Sequence, residues 1–299
     1  MSLNVINAFT KFASGGGGNW TTASDNGFTA GGGACGTMAP QTSSQSWNGT
    51  TWASKAGMIS GRSMGAGGGN ATTFIQMGGD TASGGSWGGS PQSTCYSYDG
   101  SGNSWSTENS LGTATNQAFG GGNVDTAIIT TGTYSSITTN QTYDGSSWSN
   151  NTAYPKSSRG GAGDGNAQDA IGSAGYDGSY FANSYTWNGS AWSAITNAPT
   201  DKMQGDSCSC GQSSTFISGF APSGTAGCHM WNGSAWSQTA SSNYDHRATF
   251  GGDSSFCFKV GTDSCSTDNE YYDGSSNSWT SSGSGTWTIR SAGGSGGNT

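Results

Sequence analysis

The chain is predicted to be all-β, folded as a β-propeller of six four-stranded blades, and three observations predict it. A hairpin signature recurs six times. Its copies follow one another at a period of about 44 residues, the mark of repeated supersecondary units. Each repeat also carries a segment of small residues followed by a short apolar run ending in glycine.

The signature is an aromatic residue, then Asn-Gly or Asp-Gly, then a second aromatic. Its copies are Trp47-Asn48-Gly49 with Trp52, Tyr98-Asp99-Gly100 with Trp105, and Tyr143-Asp144-Gly145 with Trp148. Three more are Trp187-Asn188-Gly189 with Trp192, Trp231-Asn232-Gly233 with Trp236, and Tyr272-Asp273-Gly274 with Trp279. Successive second tryptophans lie 53, 43, 44, 44 and 43 residues apart. Asn-Gly and Asp-Gly supply the positive φ angles of a tight type I′ turn, so each copy predicts a β-hairpin. The flanking aromatics would face one layer and lock the two outer strands of the unit.

Two more strands per unit are expected before each hairpin. Arg62, Gln117, Arg159, Gln204, Arg247 and Arg290 fall 10 to 12 residues after the preceding hairpin tryptophan. Each is expected to open an innermost strand of Gly, Ala and Ser, small because inner strands of neighbouring blades converge on the axis. The following strand is the apolar run, at 28–31, 74–78, 128–132, 171–175, 216–219 and 256–261. Four short strands in about 44 residues is the content of a propeller blade.

The count also predicts how the ring closes. The sixth inner strand, 288–294, follows the last hairpin, whereas the first hairpin is preceded by its apolar run at 28–31. Joining the C-terminal strand to the N-terminal three completes a composite blade. Residues 1–24 are then an arm outside a propeller spanning residues 25–299. A rival count takes 12–18 as the first inner strand and leaves the C-terminal strand surplus.

Arg at the head of the inner strand, glycine ending the second, Tyr-Asp or its equivalent in the third and Trp in the fourth resemble the kelch family of β-propellers across roughly residues 25–297. Only Gly31-Gly32 and Gly78-Gly79 keep that family's double glycine; the other four copies have one. The Tyr-Asp-Gly-Ser-Ser-Trp style in a Gly/Ser/Thr background is also similar to kelch-like repeat proteins of marine bacteriophages and their hosts. That likeness implies a structural role on a virion.

Composition narrows the function. Only 31% of the 299 residues are hydrophobic and 54 are glycine, which by itself suggests disorder. Twelve Trp, eleven Tyr and eleven Phe in periodic places argue instead for aromatic layers between repeats. Nine basic residues against a net charge of −8 make no basic patch, so nucleic-acid binding is not expected. No apolar run approaches the length of a bilayer span. The first eleven residues lack a basic stretch followed by an apolar core, so no secretory signal is expected there. A polar surface with no export signal fits a virion protein released by lysis, located on the virion surface or extracellular.

Catalytic sets are scarce. The two histidines, His229 and His246, sit in different repeat registers, which leaves a His-based metal site or nucleophile triad without its parts. Asp99, Asp144 and Asp273 are taken up by hairpin turns, and Glu108 and Glu270 are the only glutamates. No catalytic residue, no resident metal and no cofactor is expected; calcium is the one cation that the oxygen ligands of an acidic loop such as 263–268 would suit. The sequons at Asn48, Asn188 and Asn232 are explained by the turns. Seven cysteines leave at least one thiol outside any intrachain disulfide; Cys257 with Cys265 is one candidate bridge, and Cys208 and Cys210 share a strand face.

Two features stand outside the repeat. The long glycine loop 78–91 carries Asp80 and Trp87, the latter out of hairpin register, and these are candidate sugar-binding residues. Leu3, Val5, Ile6, Phe9 and Phe12, ahead of four consecutive glycines, read as a docking arm or as a strand capping the ring. The expected protein is therefore non-enzymatic, a fibre, decoration or adhesion module on a virion. Its arm would join other virion or filament proteins and its loops would meet host glycans. A bacterial lectin or carbohydrate-active enzyme is the alternative.

Overall fold

The computed structural model describes residues 27–34, 39–47, 52–82, 89–133, 135, 137–199, 206–209, 215–218, 227–243, 249–252, 256–260, 268–284, 289–290 and 294–296. Every regular element among them is a β-strand. The first group comprises β1 (Phe28–Ala30), β2 (Gly33–Ala34), β3 (Ser44–Trp47) and β4 (Trp52–Lys55). Next come β5 (Ala66–Gly69), β6 (Thr73–Met77), β7 (Cys95–Asp99) and β8 (Ser104–Glu108), then β9 (Phe119–Gly122), β10 (Ala127–Thr130), β11 (Asn140–Tyr143) and β12 (Trp148–Asn150). The fourth group is β13 (Ala162–Gly165), β14 (Ala170–Tyr176), β15 (Tyr180–Trp187) and β16 (Trp192–Ile195); the fifth is β17 (Asp206–Ser209), β18 (Thr215–Ser218), β19 (Cys228–Trp231) and β20 (Trp236–Gln238). Last are β21 (Thr249–Gly252), β22 (Phe256–Val260), β23 (Asp268–Asp273), β24 (Ser278–Ser284), β25 (Ile289–Arg290) and β26 (Gly294–Gly296).

Each group of four consecutive strands from β5 to β24 forms one antiparallel meander, giving five four-stranded sheets. The sixth has the order β26-β1-β3-β4, and β2 pairs separately with β25. β26 meets β1 with Phe28 opposite Gly296 and Ala30 opposite Gly294. The first strand of each sheet lies beside its counterpart in the next: β5 by β9, β9 by β13, β13 by β17, β17 by β21, and β26 by both β5 and β21. The arrangement is propeller-like. The C-terminal strand lies at 294–296, not at 288–294; residues 12–18 lie outside the described residues.

The hairpins form where the signature places them, with the predicted aromatics as cross-strand partners: Trp47 opposite Trp52, Tyr98 opposite Trp105, Tyr143 opposite Trp148, Trp187 opposite Trp192, Trp231 opposite Trp236, and Tyr272 opposite Trp279. Their rings lie 5.0 to 5.4 Å apart. The turns differ from the type I′ expectation. Four residues, not two, separate Trp187 from Trp192, and of the Asn-Gly pair only Gly189 has a positive φ, 89°. The Asn or Asp side chain closes the loop instead, accepting from the backbone N–H groups two and three residues on, an Asx turn.

The innermost strands begin later than the Arg/Gln register implies. Arg62 lies four residues before β5, Gln117 two before β9 and Arg159 three before β13, so these residues precede the strand and are not equivalent to one another. The equivalent positions are Met64, Gln117 and Gly160, each two residues before its strand and each left-handed, with φ of 55°, 52° and 59°. Gln117 N–H donates to Met64 O and Gly160 N–H to Gln117 O, which ties three consecutive sheets together. The small residues are needed for close approach: a Cβ on Gly68 would stand 2.3 Å from Gly122 O of the neighbouring sheet.

The double glycine persists as a conformation where it is lost as a sequence. The first of the pair is Gly31, Gly78 or Thr131, just after the second strand, or Ala174, at a bulge within β14, with φ of 78°, 59°, 61° and 56°; the second is Gly32, Gly79, Gly132 or Gly175. The turned backbone aims the second N–H at the segment preceding the next sheet: Gly32 donates to Arg62 O, Gly79 to Thr115 O and Gly132 to Ser158 O at 2.8 to 2.9 Å. The core lies in layers between sheets. Phe28, Phe74 and Tyr98 fill the first joint, with Phe28 stacked on Tyr98 at 4.5 Å. Ile75, Met77, Cys95, Leu111, Ile129 and Tyr143 fill the next. Each such side chain contributes about 1.5–3 kcal/mol on burial.

Candidate functional site

The strongest candidate is a cleft of about 310 Å³ where the β5–β8 sheet meets the β9–β12 sheet. Thr73 and Asp99 stand at adjacent ends of β6 and β7, paired across the ladder. Glu108 ends β8, and Val124 and Asp125 come from the turn between β9 and β10. Ser97 and Gly145 complete the polar rim, and Tyr98 forms part of the wall.

Glu108 bridges the two sheets. Ser97 Oγ donates to Oε1 at 2.6 Å and the Tyr143 hydroxyl donates to Oε2 at 2.9 Å. Burial pushes the Tyr143 hydroxyl well up, and the Glu108 carboxylate adds to the shift, so the phenol stays a donor. Asp99 is exposed, and its carboxyl is held low by the Ser101 hydroxyl and backbone N–H, assisted by Gly102 N–H. Among the described residues no basic side chain lines the cleft. Its carboxylates accept hydrogen bonds from hydroxyl or ammonium groups; among the described residues no three metal-ligating side chains are grouped closely enough to hold an ion.

The predicted binding loop is anchored by its own aspartate. Asp80 is 2% exposed. Its Oδ1 accepts from Ala82 N and Ser90 N, at 2.7 and 3.0 Å, and its Oδ2 from Asn116 Nδ2 at 2.8 Å. The carboxylate thus ties Ala82 and Ser90, at the two ends of its loop, to Asn116 ahead of the next sheet. Trp87 lies outside the described residues, as do Leu3, Val5, Ile6, Phe9, Phe12 and Arg247.

The arginines act locally. Arg62, 3% exposed, donates to Ser60 Oγ, Gly61 O and the Tyr96 hydroxyl, with its guanidinium 5.1 Å from the Tyr96 ring centre. Arg159 sits 4.9 Å over Tyr176. Arg290 pairs with Gly33 through the backbone. Cys95 is buried, and burial pushes its thiol up to about 12, so it remains protonated and unreactive.

The hairpin tryptophans reach between repeats. Trp105, Trp148, Trp236 and Trp279 donate Nε1–H to the carbonyls of Ala56, Asn109, Thr196 and Ala240, at 2.8 to 3.0 Å. Each acceptor lies four residues after the second tryptophan of the preceding repeat. Trp192 departs from the pattern: its buried Nε1–H meets no acceptor among the described residues, and its ring packs edge-on against Tyr154 at 4.8 Å. The sequence gives the constant spacing that would have revealed this link, but not which atom accepts.

No protein-family model matches the chain, and no curated protein matches it.

Proposed function

We infer that the protein is a six-bladed, kelch-like β-propeller closed by its C-terminal strand, acting as a non-enzymatic display module on a virion surface. The observation that carries the reading is that the repeated residues are spent on joints. Hairpin aromatics pack in pairs, tryptophans donate to the preceding repeat, and turn Asp and Asn side chains hold their own loops. What remains outward is a rim of Ser, Thr, Asn and Gly, and the one large hydrophobic side chain exposed among the described residues is Ile59, at 55%. The arm, residues 1–24, attaches the module to a larger assembly, and the loops contact host glycans or neighbouring subunits. Deleting residues 1–18 and assaying incorporation into particles tests this: a folded protein that no longer joins its assembly is expected, and retained incorporation refutes the attachment role.

A second reading, a carbohydrate-binding lectin or carbohydrate-active enzyme, draws on the acidic cleft. Carboxylates and hydroxyls at Asp99, Asp125, Thr73 and Ser97 suit a polyhydroxylated ligand. Glycan-array binding lost in both Asp99→Ala and Asp125→Ala, or polysaccharide turnover lost in Glu108→Gln, would favour it over pure display.

A further inference from the structure

Two hairpins present an asparagine in a setting that promotes its own conversion. Asn188 and Asn232 are exposed, each is followed by glycine, and among the described residues neither Gly189 N–H nor Gly233 N–H has a hydrogen-bond partner. Around Asn188 Oδ1 three donors converge: Ser190 N at 3.0 Å, Ser190 Oγ at 2.9 Å and Ala191 N at 2.9 Å. Around Asn232 Oδ1 stand Ser234 N, Ser234 Oγ and Ala235 N at 3.0, 2.9 and 2.9 Å. Three donors on a carbonyl oxygen withdraw electron density from its carbon and stabilise the negative charge that develops there when a nucleophile adds.

The fold already contains the product. At the same turn position of the third hairpin stands Asp144, whose Oδ1 accepts from Ser146 N, Ser146 Oγ and Ser147 N at 2.9, 2.8 and 2.7 Å. Gly145, Gly189 and Gly233 share φ of 89°, 89° and 91°, and all three loops close through a bond of 3.3 Å from the first to the fourth residue. The turn therefore holds a carboxylate as it holds a carboxamide, without rearrangement.

We propose that Asn188 and Asn232 are self-modifying sites, deamidated in the folded protein to ordinary aspartate by attack of the following glycine nitrogen. The Gly189 amide, having lost its proton to solvent base, adds to Asn188 Cγ, and the oxyanion forms on Oδ1 among its three donors. The carboxamide nitrogen leaves as ammonia, closing a succinimide. Water then adds to the former side-chain carbonyl and the ring C–N bond breaks, which returns the backbone amide and leaves a side-chain carboxylate. The net change is water consumed and ammonia released, with no redox step. The same turn donors that polarise the asparagine then bind the aspartate, so opening favours aspartate over isoaspartate. A chain that starts at −8 gains a negative charge at each site, and the rim of the fourth and fifth sheets becomes more acidic with age.

The test is peptide mapping of the full chain, aged at mildly alkaline pH in buffer and, in parallel, in urea, with aspartate and isoaspartate resolved. The expected result is conversion at Asn188 and Asn232 that is faster folded than unfolded, with aspartate the main product. Ser190→Ala should slow position 188 by about tenfold and leave 232 unchanged, and Ser234→Ala should do the reverse, since one oxyanion donor is removed in each. Each variant carries the untouched site as its internal control. Asparagines that stay intact in the folded protein while the unfolded chain converts would overturn the proposal. So would a predominance of isoaspartate, or rates indifferent to the serine changes.

Discussion

Replacing Thr131 with glycine is expected to stabilise the protein, against the usual sense of a glycine substitution. Thr131 is 1% exposed and holds φ at 61°, in the place that glycine occupies at Gly31 and Gly78. A left-handed conformation costs an L-residue about 1–2 kcal/mol, and β-branching makes it worse. Its buried hydroxyl Oγ1 also meets no partner among the described residues, a loss of about 1–3 kcal/mol. Against these stand about 0.5–1 kcal/mol for the freer unfolded glycine and about 1–2 kcal/mol for the buried methyl and the space it leaves. The balance favours glycine by about 1 kcal/mol. Urea unfolding followed by tryptophan fluorescence measures it as a raised midpoint at unchanged slope. The converse variant, Gly132→Ala, puts a Cβ at 2.3 Å from Thr115 Oγ1 and 2.4 Å from Asn116 O and should destabilise strongly. A Thr131→Gly protein destabilised by more than about 1 kcal/mol would refute the claim that the left-handed pair is a strained remnant of a double glycine.

The tryptophan links predict a contrast between two similar changes: Trp105→Phe, which forfeits a 2.8 Å bond to Ala56 O, should cost about 1 kcal/mol more than Trp192→Phe, whose indole N–H has no acceptor to lose. Equal losses in paired unfolding curves would argue against an energetic role for the donor. Acid should weaken the fold over a defined window. Asp144 is held down to about 2, first by Ser147 N–H and then by Ser146, and Asp99 and Asp177 are lowered too, chiefly by the Ser101 hydroxyl and by Lys156. Folded values below unfolded ones mean stabilisation that is complete above about pH 4 and lost as pH falls towards about 2. Asp144→Asn, which keeps the turn as Asn188 does, should lose its share of that dependence, read from unfolding midpoints against pH. Asp80→Ala, which strands three donors at the foot of its loop, should cost about 2–4 kcal/mol and open residues 81–91 to limited proteolysis; a wild-type digestion pattern would show that the carboxylate does not anchor them.

How much was legible in the sequence divides by the range of the interaction. The six hairpins and their aromatic partners were readable because Trp and Tyr flank a turn dipeptide at fixed spacing, and the second strands because an apolar run ends in glycine. Counting strands anticipated that a C-terminal strand joins the first sheet, but placed it at 288–294, whereas the strand beside β1 is 294–296. The turn type was misread, since Asn-Gly suits both a two-residue turn and a longer loop closed by the Asn side chain, and only the register separates them. Arg62, Gln117 and Arg159 were aligned by residue type, while the backbone aligns Met64, Gln117 and Gly160 by a left-handed φ that side-chain identity does not encode. Thr131 and Ala174 show the same: the double-glycine geometry survives where its sequence does not. The cleft at Asp99, Glu108 and Asp125 joins residues from two repeats, a proximity that single-repeat patterns do not contain, and the burial of Asp80 cannot be seen in a glycine-rich stretch of sequence.

The most direct test of the architecture is a disulfide across the closing joint. Thr29 and Ser295 face each other in the β1–β26 ladder. In a Thr29→Cys, Ser295→Cys protein oxidised while folded, digestion without reduction followed by mass mapping should recover residues 29 and 295 in one linked peptide. The bond should also raise resistance to urea by up to about 5 kcal/mol, as expected for so long a closed loop. Two free, alkylatable thiols at those positions in the folded protein would mean that the C-terminal strand does not complete the first sheet, and the six-bladed closure would fail.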